Sequence, residues 1–344
     1  MLADAASAAK YWYFIRLIGR TPSHVVVECA LQTHPNVVLV GEEIAARSLT
    51  LPEVISEVCD SIELRAADGK NYGAVLLPEG LLQHLAHFRH LISELNMAVA
   101  AVATPGQPAD EEAVVANLTP WSAALYESLP ASFRKGLLRE RESGGTIQLT
   151  QIETERLVAD LCGEELARRK AAGSYAGKFS AVTHFFGYQG RSSLPSRLDA
   201  SLGYVSGYAA GLLGAAGQTG VTVSVRGLCS PVAGWRVGCL PLTALLSVDN
   251  DVNPWGVGSA RVRASNVDVK SASFRRLMAE RVEWVREDRY RNPGPIQFSG
   301  AAAQEVFFTC RAEHEAYLAN LGAVERACKR IKNMCVPFAL CRWF

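Results

Sequence analysis

The sequence has no charge surplus, no CxxC pair and no apolar run long enough to cross a bilayer. Lys plus Arg total 35 against 34 Asp plus Glu. Such a balance gives no global field for gripping nucleic acid or an anionic membrane, so any anion must be held at a local site. The nine cysteines are scattered and odd in number. Without a secretory leader in Met1–Lys10, they read as reduced thiols rather than a disulfide framework. The missing apolar run excludes a spanning helix. These absences together point to a soluble, cytoplasmic protein. Asn117-Leu118-Thr119 is a glycosylation sequon by chance on this reading. What remains is ordinary globular composition, 49% hydrophobic and 20% charged over 344 residues, enough for about two cores.

The early pattern alternates strand and helix. Tyr11–Ile18 (YWYFIRLI), Asn36–Val40 and Tyr72–Leu77 are β-branched and aromatic runs that read as buried strands. Thr21 as N-cap with Pro22 behind it predicts a helix through His24–Leu31. Thr50-Leu51-Pro52-Glu53 has capping-box spacing and predicts a second helix, to about Ala66, stopped by Gly69. This order is that of an α/β fold with a parallel, helix-flanked sheet. Residues 81–170 turn helical and polar, broken at Thr104–Pro108 and at Ser143-Gly144-Gly145. Phe179–Phe186 resumes strand character. Asp199–Ala216 carries Gly203, Gly207, Gly211 and Gly214, spaced for close helix packing. Short strands follow at Val221–Val225 and Trp235–Leu240, then a helix over Ser273–Arg291. No repeat of solenoid period is present. The expected organisation is an α/β segment over 10–80, a mainly helical insertion over 81–175, the rest of the α/β domain with a helical subdomain over 176–300, and a helical tail over 301–344.

In a parallel sheet, ligands collect beyond the carboxyl ends of the strands. Three such ends carry distinctive loops. Gly19-Arg20 stands before a helix, where backbone N–H groups favour an anion. Pro78-Glu79-Gly80 presents one carboxylate on a tight turn. Gly187-Tyr188-Gln189-Gly190-Arg191 sets a phenol and a guanidinium three residues apart. A guanidinium fork matches a phosphate and a carboxylate suits sugar hydroxyls, so the three loops describe a pocket for a phosphorylated polyol. Other candidates are weaker. His84, His87 and His90 recur at helical spacing but lack convergent partners, and the solvated-face reading is favoured over a metal stripe. Gly211–Gly220 lacks the GxxxxGK[ST] pattern, so helix packing is favoured over a phosphate loop. Arg326–Lys332 reads as a solvated helix face rather than a nucleic-acid site.

The stretch KYWYFIRLIGRTPSHVVVECALQTHPNVVLVGEE, with YGAVLLPEGLL, TQIETERL, HFFGYQGRSSLPS and YRNPGP, closely resembles the long, plant-type pyrophosphate-dependent 6-phosphofructokinases. The likeness runs in order from Lys10 to about Gly300. The resemblance implies a phosphofructokinase-like fold and phosphoryl transfer from pyrophosphate to the 1-hydroxyl of fructose 6-phosphate, a step of glycolysis. It implies that Ile18, Gly19 and Arg20, then Glu79, then Tyr188 and Arg191, bind fructose 6-phosphate. Ile18 stands where the family has methionine. It also implies that Lys10 and Tyr11 reach the substrate of a neighbouring subunit. In an extended strand at about 3.3 Å per residue, Lys10 lies roughly 25–30 Å from Arg20, too far to serve the same pocket. A dimer or higher oligomer of phosphofructokinase subunits is therefore expected. The family's donor-phosphate glycines, its Mg²⁺-binding aspartate and its Thr-x-Asp-x-Asp base do not occur in this sequence. No catalytic base and no Mg²⁺ ligand is therefore expected within it. The chain reads as the acceptor half of the enzyme, with a non-catalytic, sugar-phosphate-binding regulatory subunit as the alternative, and with ATP in place of pyrophosphate as a further option for the donor.

Overall fold

The computed structural model describes residues 1–19, 21–102, 110–139, 147, 151–190, 192–249, 259–262, 264–300, 303 and 305–340. A short helix, α1 (Leu2–Ala8), leads into β1 (Trp12–Leu17). Then come α2 (His24–Thr33), β2 (Val37–Val38), α3 (Gly41–Ala46), α4 (Leu51–Ala67) and β3 (Gly73–Pro78). The helical stretch follows as α5 (Leu81–His84), α6 (Ala86–Val102), α7 (Glu111–Ala116), α8 (Pro120–Glu127), α9 (Ala131–Arg139) and α10 (Thr154–Ala171). The chain returns to the sheet with β4 (Ala181–Phe186). The expected α/β class, a parallel helix-flanked sheet with helices inserted between β3 and β4, is the architecture observed. Strand order is β2-β3-β1-β4, all parallel, with Trp12 opposite both Gly73 and Ala181.

Alternation along β1 explains the two cores. Trp12 and Phe14 join Val75 and Leu77 on one face, under α4, α6 and α10. Tyr13, Ile15 and Leu17 join Ala74 and Leu76 on the other, against α2 and α12. All six residues of β1 are buried, because a parallel strand covered on both faces has no side left for solvent. Gly73 is the close-approach point of this sheet: a Cβ there would lie 2.6 Å from the Trp12 ring and 2.8 Å from Asn36 Oδ1. Asn36 uses that space, accepting the Ala74 N–H at 3.0 Å and donating to the Trp284 carbonyl at 2.8 Å.

The rest of the chain is α11 (Arg197–Ala215), the antiparallel pair β5 (Val221–Arg226) and β6 (Arg236–Pro241), a second pair β7 (Leu246–Asp249) and β8 (Ser259–Val262), then α12 (Ala272–Arg286) and α13 (Phe308–Leu340). α12 returns to the core through Phe274, Leu277 and Trp284.

Several sequence expectations change. The capping box at Thr50 and Glu53 forms, and Gly69 takes the left-handed conformation after α4. But α2 starts at His24, with Ser23 and not Thr21 at its N-cap position. The Ser23 hydroxyl is occupied elsewhere, accepting the Gly41 N–H at 3.0 Å. The helix expected over Ser273–Arg291 closes at Arg286, where Asp288 turns away to pair with Arg65 at 2.8 Å. The glycine-spaced helix exists, but an added Cβ at Gly203, Gly207, Gly211 or Gly214 would meet nothing within 4 Å. The close packing read from that spacing is absent among the described residues. Thr104–Pro108 and Ser143-Gly144-Gly145 lie outside the described residues.

Candidate functional site at the carboxyl ends of three strands

The strand order puts β3, β1 and β4 side by side, so their carboxyl ends open on one edge of the sheet. Register then brings the loops together. Leu17 pairs with Pro78 and with Phe186, the last residues of the neighbouring strands. Glu79 donates its N–H to the Leu17 carbonyl at 3.1 Å, and Ile18 donates to the Phe186 carbonyl at 3.0 Å. The Glu79 carboxylate accepts the Gly19 N–H through Oε2 at 3.0 Å. This bond ties the first two loops across the strand ends. The third loop is held by contact: a Cβ on Gly190 would lie 3.0 Å from Ile18 Cγ2, so only a residue without one seats there comfortably.

Glu79 is buried, 3% exposed, whereas Tyr188 is 80% exposed on the turn after β4. The site therefore has a buried carboxylate at its floor and an open phenol at its rim. Ile18 and Gly19 lie between them. Ile18, Gly19, Glu79 and Tyr188 are gathered at one edge, while Arg20 and Arg191 lie outside the described residues. Thr21, next along the chain, hydrogen-bonds the Gln83 side chain. The first loop is thus fastened to the start of the helical region.

Lys10 and Tyr11 sit at the other end of β1. Lys10 Nζ lies 5.2 Å from the Tyr11 ring centre, and Tyr11 packs edge-on to Tyr13. From Tyr11 to Ile18 the strand covers about 23 Å at its usual rise. The structure does not bring this pair to the Glu79 pocket of the same chain.

The histidine series divides. His84 ends α5 and is buried, bonded to the Thr21 carbonyl at 2.9 Å, so the solvated-face reading is wrong for it. His87 and His90 belong to α6, and His90 is exposed beside Glu94. Among the described residues no group of three His, Cys, Asp or Glu could hold a metal ion. The described residues do not fit a Mg²⁺ site. No described helix is long and apolar enough to cross a membrane.

Sequence reasoning passed over one buried ion pair near these loops. Arg16, 2% exposed, points into the face shared with α10 and meets Glu155 at 2.5 Å. Its guanidinium lies 3.8 Å from the Phe185 ring centre. The signal was present, since an arginine inside a run of buried aromatics demands a partner.

Against known proteins, the chain is 38% identical over 340 residues to pyrophosphate--fructose 6-phosphate 1-phosphotransferase subunit alpha 1 of Arabidopsis thaliana, covering 97% of this chain and 54% of that one. It is 41% identical over 314 residues to the subunit beta of Solanum tuberosum, covering 91% and 54%. The chain is homologous to the pyrophosphate-dependent phosphofructokinases. A bacterial phosphotransferase of the same name, from Treponema pallidum, is 40% identical over 328 residues, 92% of this chain and 56% of its own. The chain spans about half the length of the phosphotransferase relatives it matches. No protein-family model matches it. A crystal structure of a pyrophosphate-dependent phosphofructokinase from Nitrosospira multiformis superposes with a TM-score of 0.39 at 11% identity, over 87% of this chain and 56% of that one. The fold assignment rests on the parallel sheet itself, not on that superposition.

Proposed function

We propose that this chain supplies the fructose 6-phosphate half of a pyrophosphate-dependent phosphofructokinase, which moves a phosphoryl group from pyrophosphate to the sugar's 1-hydroxyl. The observation that carries this is the convergence of Ile18-Gly19, Glu79 and the Tyr188 turn on one sheet edge, joined by the Gly19–Glu79 hydrogen bond. The homology to subunits named for that reaction supports it.

In this reading the Glu79 side chain orients sugar hydroxyls by hydrogen bonding from the floor of the site. Tyr188 caps the rim. Arg20 and Arg191, next to Gly19 and Gly190 in sequence, neutralise phosphate oxygens with their guanidinium forks. Holding the acceptor in one pose is this chain's contribution to the rate, because phosphoryl transfer depends above all on positioning and charge stabilisation. Mg²⁺, the catalytic base and the pyrophosphate contacts come from a segment or subunit other than the present sequence. Lys10 and Tyr11 serve the pocket of a second phosphofructokinase subunit, and the protein works as an oligomer in the cytoplasm.

Calorimetric titration with fructose 6-phosphate tests the reading. Binding that weakens about 10- to 100-fold in Arg191→Ala is expected, the loss of a hydrogen bond to a charged group. Tyr188→Phe weakens binding less. Equal affinity for wild type and Arg191→Ala removes that arginine from the site.

A further inference from the structure

Two cysteines that the sugar-phosphate reading leaves unused face each other between the β5–β6 hairpin and α13. Cys229 Sγ and Cys310 Sγ lie 3.4 Å apart, and both residues are half-buried, so small solutes reach them. Their elements hold them there. The Ser230 N–H bonds the Gly227 carbonyl at 2.9 Å, which puts Leu228 and Cys229 in the middle of a tight turn after β5. The Trp235 indole N–H fixes that turn on the Ser230 carbonyl at 2.9 Å. Cys310 stands in the first turn of α13. There the N–H groups of Phe308 and Thr309 both bond the Glu28 carboxylate of α2, at 2.8 and 2.9 Å. The Cys229 thiol also reaches the Cys310 carbonyl, at 3.6 Å. A second thiol pair supplies the contrast. Cys59 of α4 donates to the Cys162 carbonyl of α10 at 3.7 Å, but both residues are 0% exposed inside the core.

We infer that Cys229 and Cys310 are a redox modification site, which reacts with a small disulfide of the glutathione class and closes into an intramolecular disulfide bond. The inference is independent of the acceptor-site reading. In the first step the Cys229 thiolate attacks one sulfur of the small disulfide. That S–S bond breaks, and one small thiolate leaves and takes up the proton that Cys229 gave up. In the second step the Cys310 thiolate attacks Cys229 Sγ, the mixed S–S bond breaks, and the second small thiolate leaves and is protonated in turn. Two protein thiols are oxidised and one small disulfide is reduced to two thiols. Burial, then the neighbouring Cys229 thiol, raise the Cys310 pKa to about 11, so Cys310 acts as the slower, resolving thiol and Cys229 as the point of entry. A metal site is the competing use of paired thiols, but among the described residues no third His, Cys, Asp or Glu joins them. The new bond ties the exposed β6 and its hairpin to α13 and, through Glu28, to α2 in the packed core. The joined residues are 81 positions apart in sequence, a span over which a cross-link strongly restricts the unfolded chain.

Incubating the full chain with mixtures of oxidised and reduced glutathione, then alkylating free thiols and mapping peptides by mass spectrometry, tests the inference. The expected product is one cross-linked peptide pair, Cys229 with Cys310, which dithiothreitol returns to the reduced form. Cys59 and Cys162 are expected to stay unmodified in the same samples. Cys310→Ser should stop at a stable glutathione adduct on Cys229, and Cys229→Ser should form no cross-link at Cys310. Limited proteolysis within the β5–β6 hairpin is expected to slow about tenfold in the oxidised wild-type chain and to recover with dithiothreitol, because the cross-link opposes local opening. Neither serine variant should show that slowing. The wild-type mapping and proteolysis decide the matter even where a serine variant does not fold. No reaction in excess oxidised glutathione, adducts on both cysteines without a cross-link, bonds from either cysteine to another in place of this pair, or a cross-link that leaves hairpin proteolysis unchanged would each overturn the proposal.

Discussion

The α/β core around β1 and the segment from α11 to β6 are built from equally apolar sequence, yet they end in opposite environments. Every residue of β1 and β3 is buried. On α11 only Leu198 is buried, and β6 is exposed along its whole length. Tyr204 and Tyr208 stack on each other at 6.3 Å while 75% and 63% exposed. Each face of β1 meets helices of the same chain. The glycine face of α11 meets nothing among the described residues. Local pattern decides which residues form a helix or strand; whether that element is buried depends on having a partner surface.

The contrast can be tested at matched glycines. Gly73→Ala should have the largest effect, destabilising by about 2–3 kcal/mol, because the new methyl group must displace the Trp12 ring or Asn36 in a packed core. Chemical denaturation reads this directly. A loss below about 0.5 kcal/mol would show that the β1–β3 core yields more readily than its packing implies.

An intermediate effect is expected at the surface charge cluster of α10. Arg168 and Arg169 hold the Glu165 carboxyl down to about 2 by hydrogen bonding. Its folded value lies below its ordinary value near 4.5, so its contribution is present above 4.5 and is lost as pH falls toward 2. Partial exposure discounts it, and Glu165→Gln should cost about 0.5–1 kcal/mol at pH 7. That difference from wild type should vanish when melting is repeated near pH 2. A difference that persists there would assign the cost to packing, not charge.

The smallest effect, and of opposite sign, is expected at Gly207→Ala. With open space around the new methyl group, replacing a helix-interior glycine should stabilise the chain by about 0.5–1 kcal/mol. Destabilisation by a similar amount would mean that the α11 face is packed against something in solution, and the contrast between the two regions would break.

Legibility in the sequence follows the same division. The run YWYFIRLI announced β1, and the box at Thr50 and Glu53 announced α4, because apolar periodicity and capping are local. The loops at Gly19, Glu79 and Tyr188 were legible as strand ends, and their meeting followed from the parallel order. Three features were not legible. Gly203 to Gly214 promised packing that depends on a surface outside the helix. His84 looked like part of a solvated series, although it ends a separate short helix and reaches back to Thr21. Arg16 gave a visible anomaly, but its partner Glu155 lies 139 positions away in sequence, and only the fold joins them.

The central claim is that three strand ends of this chain form one acceptor site. Backbone amide NMR during titration with fructose 6-phosphate tests it most directly. Shifts should concentrate at Ile18 and Gly19, at Glu79 and Gly80, and at Gly187 to Gly190, saturating with a single affinity, while the amides of α11 stay still. Shifts confined to one of the three loops, or centred on another part of the chain, would contradict it.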